Sequence, residues 1–186
     1  MGQLDTAMKT LLRADPAAFV RLALGRTVAA RRVAAEEVEL PATSVRLADK
    51  VLRYEAPQRD QPRRFHFEIE AAPRRNLPRR AHEYWTLLHR VYSDLTTVVI
   101  VLRPGSGRVV ARDEYVVRDG AGAETLRFRF KLIKVWEHDG ADLLALGGPG
   151  LAPLLPFAAD ASKERVRTAL RSLAKIQDVD RRVDLQ

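Results

Sequence analysis

Apolar positions recur at helical spacing from the start of the chain, where Leu4, Met8, Leu11 and Leu12 share one face. Asp15-Pro16 reads as the N-cap and first position of a second helix, and Gly25 as its stop. Residues 26–36, rich in Arg and Ala, fit either a helix or a connection. Val38-Glu39-Leu40 reads as a short strand closed by Pro41, Val45 to Tyr54 as a longer strand, and Phe65 to Ala71 as another. Polar residues and two prolines fill Glu55 to Arg64, so this stretch is a loop. Strands joined by about ten residues are expected to be antiparallel neighbours.

Pro78 opens an amphipathic helix, with Ala81, Tyr84, Trp85, Leu88, Val91 and Tyr92 on its apolar face. Tyr84 and Trp85 therefore read as core residues rather than base-stacking platforms. The β-branched run Thr97 to Leu102 predicts a strand buried on both faces. Pro104-Gly105-Ser106-Gly107 is a turn, Val109 to Val117 and Leu126 to Trp136 are further strands, and Asp113 and Glu114 are read as solvated. In the second of these strands Phe128, Phe130, Leu132 and Lys134 alternate with Arg127, Arg129, Lys131 and Ile133, so it is half exposed. Asp160 to Ile176 is a last helix with Val166, Ala169, Leu170 and Leu173 inward. The order implies a mixed α/β or α+β sandwich in one domain, residues 1–177, with a charged tail over 178–186.

The longest uncharged stretch, Leu143 to Ala159, is broken by Gly147, Gly148, Pro149, Gly150, Pro153 and Pro156, so a spanning helix is not expected there. The same glycines lack the Gly-Lys-Ser/Thr ending of a phosphate loop, and Leu151 to Phe157 reads as an apolar strap on the core. Met1 to Lys9 carries no basic-then-apolar leader, and cysteine is absent. Thiol catalysis, cysteine-bound metals and disulfides are thereby excluded, and a cytoplasmic protein is expected. The net charge of +8 points to a polyanionic partner, and 26 of the 32 basic residues are Arg, whose planar fork matches phosphate oxygens. An Arg-biased genome is the plain alternative.

Candidate chemistry lies in Phe65-His66-Phe67-Glu68-Ile69-Glu70. A period of two turns the Phe and Ile side chains one way and His66, Glu68 and Glu70 the other. Adjacent carboxylates on a semi-buried face repel, and require a cation or a shared proton. Asp49, set among apolar residues in the preceding strand, can pair across to Glu68. Asp49, Glu68 and Glu70 would then form an oxygen cluster suited to Mg²⁺ or Mn²⁺. The plain alternative is a solvated strand face with Arg partners. Arg74, Arg75, Arg79 and Arg80 crowd the start of the next helix, where Arg forks and free N–H groups suit DNA phosphate; the plain alternative is solvent, or a pair with Glu83.

From about Asp5 to Phe157 the chain resembles the recombination-promoting nuclease (Rpn) and transposase family of the PD-(D/E)XK nuclease superfamily. The resemblance is carried, in order, by Leu4 to Lys9, by Arg46-Leu47-Ala48-Asp49, by Phe65 to Glu70 and by Arg79 to Tyr84. Thr97 to Leu102, Leu143 to Leu146 and Pro149 to Pro156 complete it. It implies a restriction-endonuclease-like three-layer α/β core with a mixed central sheet flanked by helices. It further implies Mg²⁺-dependent cleavage of DNA, with the metal held at Asp49 and Glu68; two cuts in a duplex would favour a homodimer. Glu70 departs from the pattern, which has Lys or Gln there. Ionised Glu cannot donate a hydrogen bond, so Glu70 is read as a further ligand, as a base, or as the mark of a degenerate, binding-only module. Lys50, on the opposite strand face, is a poor substitute, and Lys9 is a second candidate. His66 is read as a hydrogen-bonding group behind Glu68, or as structural.

Overall fold

In the computed structural model, the residues described are 3–26, 29, 32–36, 50–55, 57, 62–105 and 109–174. Helix α1 (Gln3–Ala14) ends against α2 (Pro16–Leu24), as the Asp15-Pro16 signal implies. The Asp15 carboxylate accepts from the Ala18 N–H at 3.2 Å, and Gly25 closes the helix with a left-handed φ of 66°. Three strands follow: β1 (Val33–Glu36), β2 (Lys50–Tyr54) and β3 (Arg63–Glu70). They form an antiparallel meander. Helix α3 (Leu77–His89) then crosses over to β4 (Leu95–Val101), which runs parallel to β3. After β5 (Glu114–Arg118) and β6 (Glu124–Arg129) comes β7 (Lys131–Lys134), parallel to β4. The main sheet has the order β1-β2-β3-β4-β7, and β5 and β6 pair as a separate hairpin. A 3₁₀ turn (Val135–Glu137), α4 (Gly140–Gly147), a 3₁₀ strap (Gly148–Phe157) and α5 (Lys163–Ala174) complete the described chain.

The fold is mixed α/β, a five-stranded mixed sheet flanked by helices. One face packs Phe65, Phe67, Val98 and Ile100 against Leu12, Phe19 and Leu143 and against Leu151, Leu154 and Leu155 of the strap. On the other, Val99 and Val101 meet Leu77 and Ala81 of α3 and Phe128 and Phe130. Apolar burial on both faces explains the β-branched run of β4, all of whose residues from Thr97 to Val101 are buried. The strap lies close on α2: a Cβ at Gly150 would collide with the Asp15 carboxylate and with Ala18, so only glycine fits.

Several expectations are corrected. Val91 lies beyond the end of α3 and is 60% exposed, because the Val91 and Tyr92 N–H groups both turn back onto the Leu88 carbonyl. Leu126 to Trp136 is not one strand. The chain leaves the hairpin at Phe130 and joins the main sheet at Lys131, and the in–out alternation ends there: Ile133, expected on the exposed face with Arg127, Arg129 and Lys131, is buried in the core on the other side of the sheet. Residues 109–113 are not strand, and Glu114 is not simply solvated: its carboxylate holds Arg127 at 2.6 Å and Arg129 at 3.6 Å. Helix α4 stands where no helix is anticipated. The anticipated strand at 38–40, residues 45–49 of the next, the tip of the turn at 106–107 and the tail 178–186 lie outside the described residues.

Candidate functional site

Strand β3 is the middle strand of five, bonded to β2 on one side and β4 on the other. Its polar face is therefore roofed by α3 rather than open to water, and His66, Glu68 and Glu70 are 0%, 3% and 7% exposed. Opposite them on β4 stand Thr97, Val99 and Val101. The sequence places two carboxylates in a dry, largely apolar setting, where each needs a compensating charge.

That charge comes from the first turns of α3. Pro78 near the helix start and the loop before it bring Arg80 over the end of β3, with its side chain 15% exposed. One guanidinium nitrogen, Arg80 Nη2, lies 2.6 Å from Glu68 Oε1 and is also bonded to Glu70 Oε1. From outside, Arg74 Nε reaches Glu70 Oε2 at 3.3 Å. Arg79 instead pairs along the helix surface with Glu83 at 2.8 Å, and Arg75 is exposed. The four arginines expected to face DNA thus divide. Arg80 is turned inward onto the carboxylates, Arg74 bridges inside and outside, and Arg75 and Arg79 stay on the surface. Helical side chains lean towards the N-terminus, which is why Arg80 reaches back over β3.

His66 sits behind this cluster. Its Nδ1 lies 3.4 Å from Thr97 Oγ1, its ring meets the Tyr84 ring edge-on, and Nε2 lies 3.9 Å from Glu68 Oε2. Burial lowers its pKa from 6.5 to about 3, so the ring is neutral and its approach to Glu68 is a contact between a dipole and a charge. This has a consequence for stability. Between pH 6.5 and about 3 the unfolded chain holds a proton on His66 that the folded chain rejects. Stability from this group is complete above pH 6.5 and falls as the pH drops, by up to about 1.4 kcal/mol per pH unit. His66→Gln should flatten that slope, making the fall between pH 6.5 and pH 5 about 1.6 kcal/mol smaller than in the parent chain. Denaturant titrations at the two pH values check it, and an equal acid slope in both proteins would contradict the burial argument.

Asp49, the third expected acidic residue, lies outside the described residues, as do the Lys50 and Lys9 side chains. Tyr84 is buried, as read from the helix face, and Trp85 is half-buried and packs on Phe128 with ring centroids 5.3 Å apart. Among the described residues no group of three or more His, Cys, Asp or Glu side chains is arranged to hold a metal ion. Glu68 and Glu70 nonetheless supply hard oxygen donors, and Mg²⁺ commonly takes one or two carboxylates with water and phosphate completing its shell. The donor chemistry fits such an ion, provided that Arg80 withdraws. Among the described residues, no helix is long and apolar enough to cross a membrane.

No protein-family model matches this chain, and neither a curated protein nor a solved structure matches it.

Proposed function

We propose that the protein is a divalent-metal-dependent endonuclease with a restriction-endonuclease-like core, hydrolysing DNA phosphodiesters at Asp49, Glu68 and Glu70. The observation that carries this reading is the pair of buried carboxylates side by side on the central strand, neutralised by Arg80 and opening towards an arginine-rich rim. A purely structural role would be met by an apolar pair at lower cost in desolvation. The β2–β3 register pairs Lys50 with Phe67. That Asp49 joins Glu68 is part of the proposal.

In this reading Glu68 and Asp49 hold Mg²⁺ or Mn²⁺. When bound there, such an ion would supply Lewis acidity towards a phosphoryl oxygen and an attacking water. Glu70, which when ionised only accepts, orients the attacking water or takes its proton. Arg80 gives up the carboxylates and turns its fork to phosphate oxygens. Arg74, Arg75 and Arg79 hold the DNA backbone, and His66 steadies Glu68 from behind. Plasmid DNA incubated with Mg²⁺ or Mn²⁺ tests the reading. Cleavage is expected from the parent chain, none from Asp49→Ala, and equal or greater cleavage from Glu70→Gln, which restores a donor.

One observation favours a second reading. Arg80 already neutralises both carboxylates, so a guanidinium can stand permanently where the reaction needs an ion. The protein would then be a catalytically degenerate module that binds DNA or another protein. Retarded migration of DNA without cleavage under either ion supports this alternative.

A further inference from the structure

Beside the carboxylate pair, the start of α3 and the segment leading into β5 enclose a cleft of about 510 Å³. Three arginines, Arg74, Arg75 and Arg79, line one wall, and Arg112 comes from the other, a segment distant in sequence. Among the described residues Arg75 and Arg112 have no ion-pair partner, whereas Arg74 and Arg79 hold Glu70 and Glu83. Glu114 also lines the cleft, but its carboxylate is already held by Arg127 at 2.6 Å. The cleft is thus cationic, a setting that favours an anion.

Its remaining surface is of another kind. Tyr115, half-buried with its ring centroid 5.3 Å from that of His82, lies in the wall, as does Val110, 72% exposed and one of two large apolar side chains so exposed among the described residues. Guanidinium groups beside an aromatic and an aliphatic surface match a ligand that alternates charged phosphates with flat rings. The volume falls in the range of small-ligand sites, enough for about one nucleotide unit of a strand. Arg74 lines the cleft and reaches Glu70 at 3.3 Å, so the cleft adjoins the carboxylate pair.

We propose that this cleft binds single-stranded polynucleotide through its phosphates and leads the strand to Glu68 and Glu70. The destination of the strand rests on the nuclease reading; the binding does not. The test is the fluorescence anisotropy of a labelled deoxythymidine dodecamer, titrated with the full chain in EDTA at several salt concentrations. The charge-reversed pair Arg75→Glu/Arg112→Glu, both at exposed positions, is expected to bind at least about tenfold more weakly than the parent chain. Its salt slope should be smaller by about 1.4, the loss of two phosphate contacts to a single strand. A control pair with the same change in net charge, Arg13→Glu/Arg171→Glu, lies on exposed positions of α1 and α5 and should bind within about twofold of the parent. Equal losses in the two pairs, or no binding by the parent chain, overturn the proposal. Cleavage with Mn²⁺ but no such binding removes the cleft and leaves the nuclease; cleft-dependent binding without cleavage under any ion does the reverse.

Discussion

Arg80→Ala is expected to lose about 3–5 kcal/mol of stability in the absence of divalent cations, the usual cost of stranding one side of a buried ion pair. Two carboxylates, 3% and 7% exposed, share this guanidinium, and Arg74 reaches only Glu70 from a largely exposed position. Without Arg80 the fold must accept uncompensated charge, take up a proton or draw in an ion. Two companion measurements separate these effects from simple loss of packing. Millimolar Mn²⁺ should stabilise Arg80→Ala more than the parent chain, since only in the variant is the pair open to the ion without displacing an arginine. The triple variant Arg80→Ala/Glu68→Gln/Glu70→Gln should recover much of the loss, because it buries no unpaired charge. Denaturant titration reads all three. A single variant within about 1 kcal/mol of the parent would mean that the bridge contributes no more than an exposed ion pair.

Glu68→Gln is expected to lower Mn²⁺-supported cleavage of plasmid DNA by at least about a hundredfold, several kcal/mol of transition-state stabilisation being tied to the held ion. The substitution keeps shape and an oxygen acceptor for Arg80, so stability should change far less than activity. The loss should appear in kcat, because Glu68 lies 3% exposed beneath α3, whereas the proposed DNA contacts are made by the surface arginines. Glu70→Gln should behave oppositely and keep or raise activity. If Glu68→Gln and the parent chain cut equally, the ion is held elsewhere.

The polar face of β3 was legible because its alternation has a strict period of two: once Phe65, Phe67 and Ile69 are assigned to one core, His66, Glu68 and Glu70 have only the other side. Its central position followed from apolar segments on both sides in sequence. The destination of Arg80 was not legible. A residue in the first turn of a helix has the same spacing whether it points to solvent or back over the sheet, and only the position of α3 over β3 decides. Pairing of Arg79 with Glu83 was one of three open readings, beside phosphate and solvent, since the i,i+4 spacing alone allows it. The crossing at Phe130 was hidden for a different reason: no glycine or proline marks the break, and the change from one buried face to two, at Leu132 and Ile133, spans too few residues to stand out. Helix α4 is short, nearly uncharged and ends in glycines, so it carries no amphipathic period to detect. The place of Arg112 was not legible because the arginines that share its cleft, Arg74, Arg75 and Arg79, lie more than thirty residues away in sequence, a separation that no local pattern encodes.

Whether Glu68 and Glu70 form a cation site is tested most directly by titrating the purified chain with Mn²⁺ and following the paramagnetic resonance signal of the free ion. The expected result is uptake of about one Mn²⁺ per chain by the parent protein, tightened by Arg80→Ala, and none by Glu68→Gln/Glu70→Gln. Equal uptake by the parent and the double variant, or no uptake by either the parent or Arg80→Ala, would contradict it.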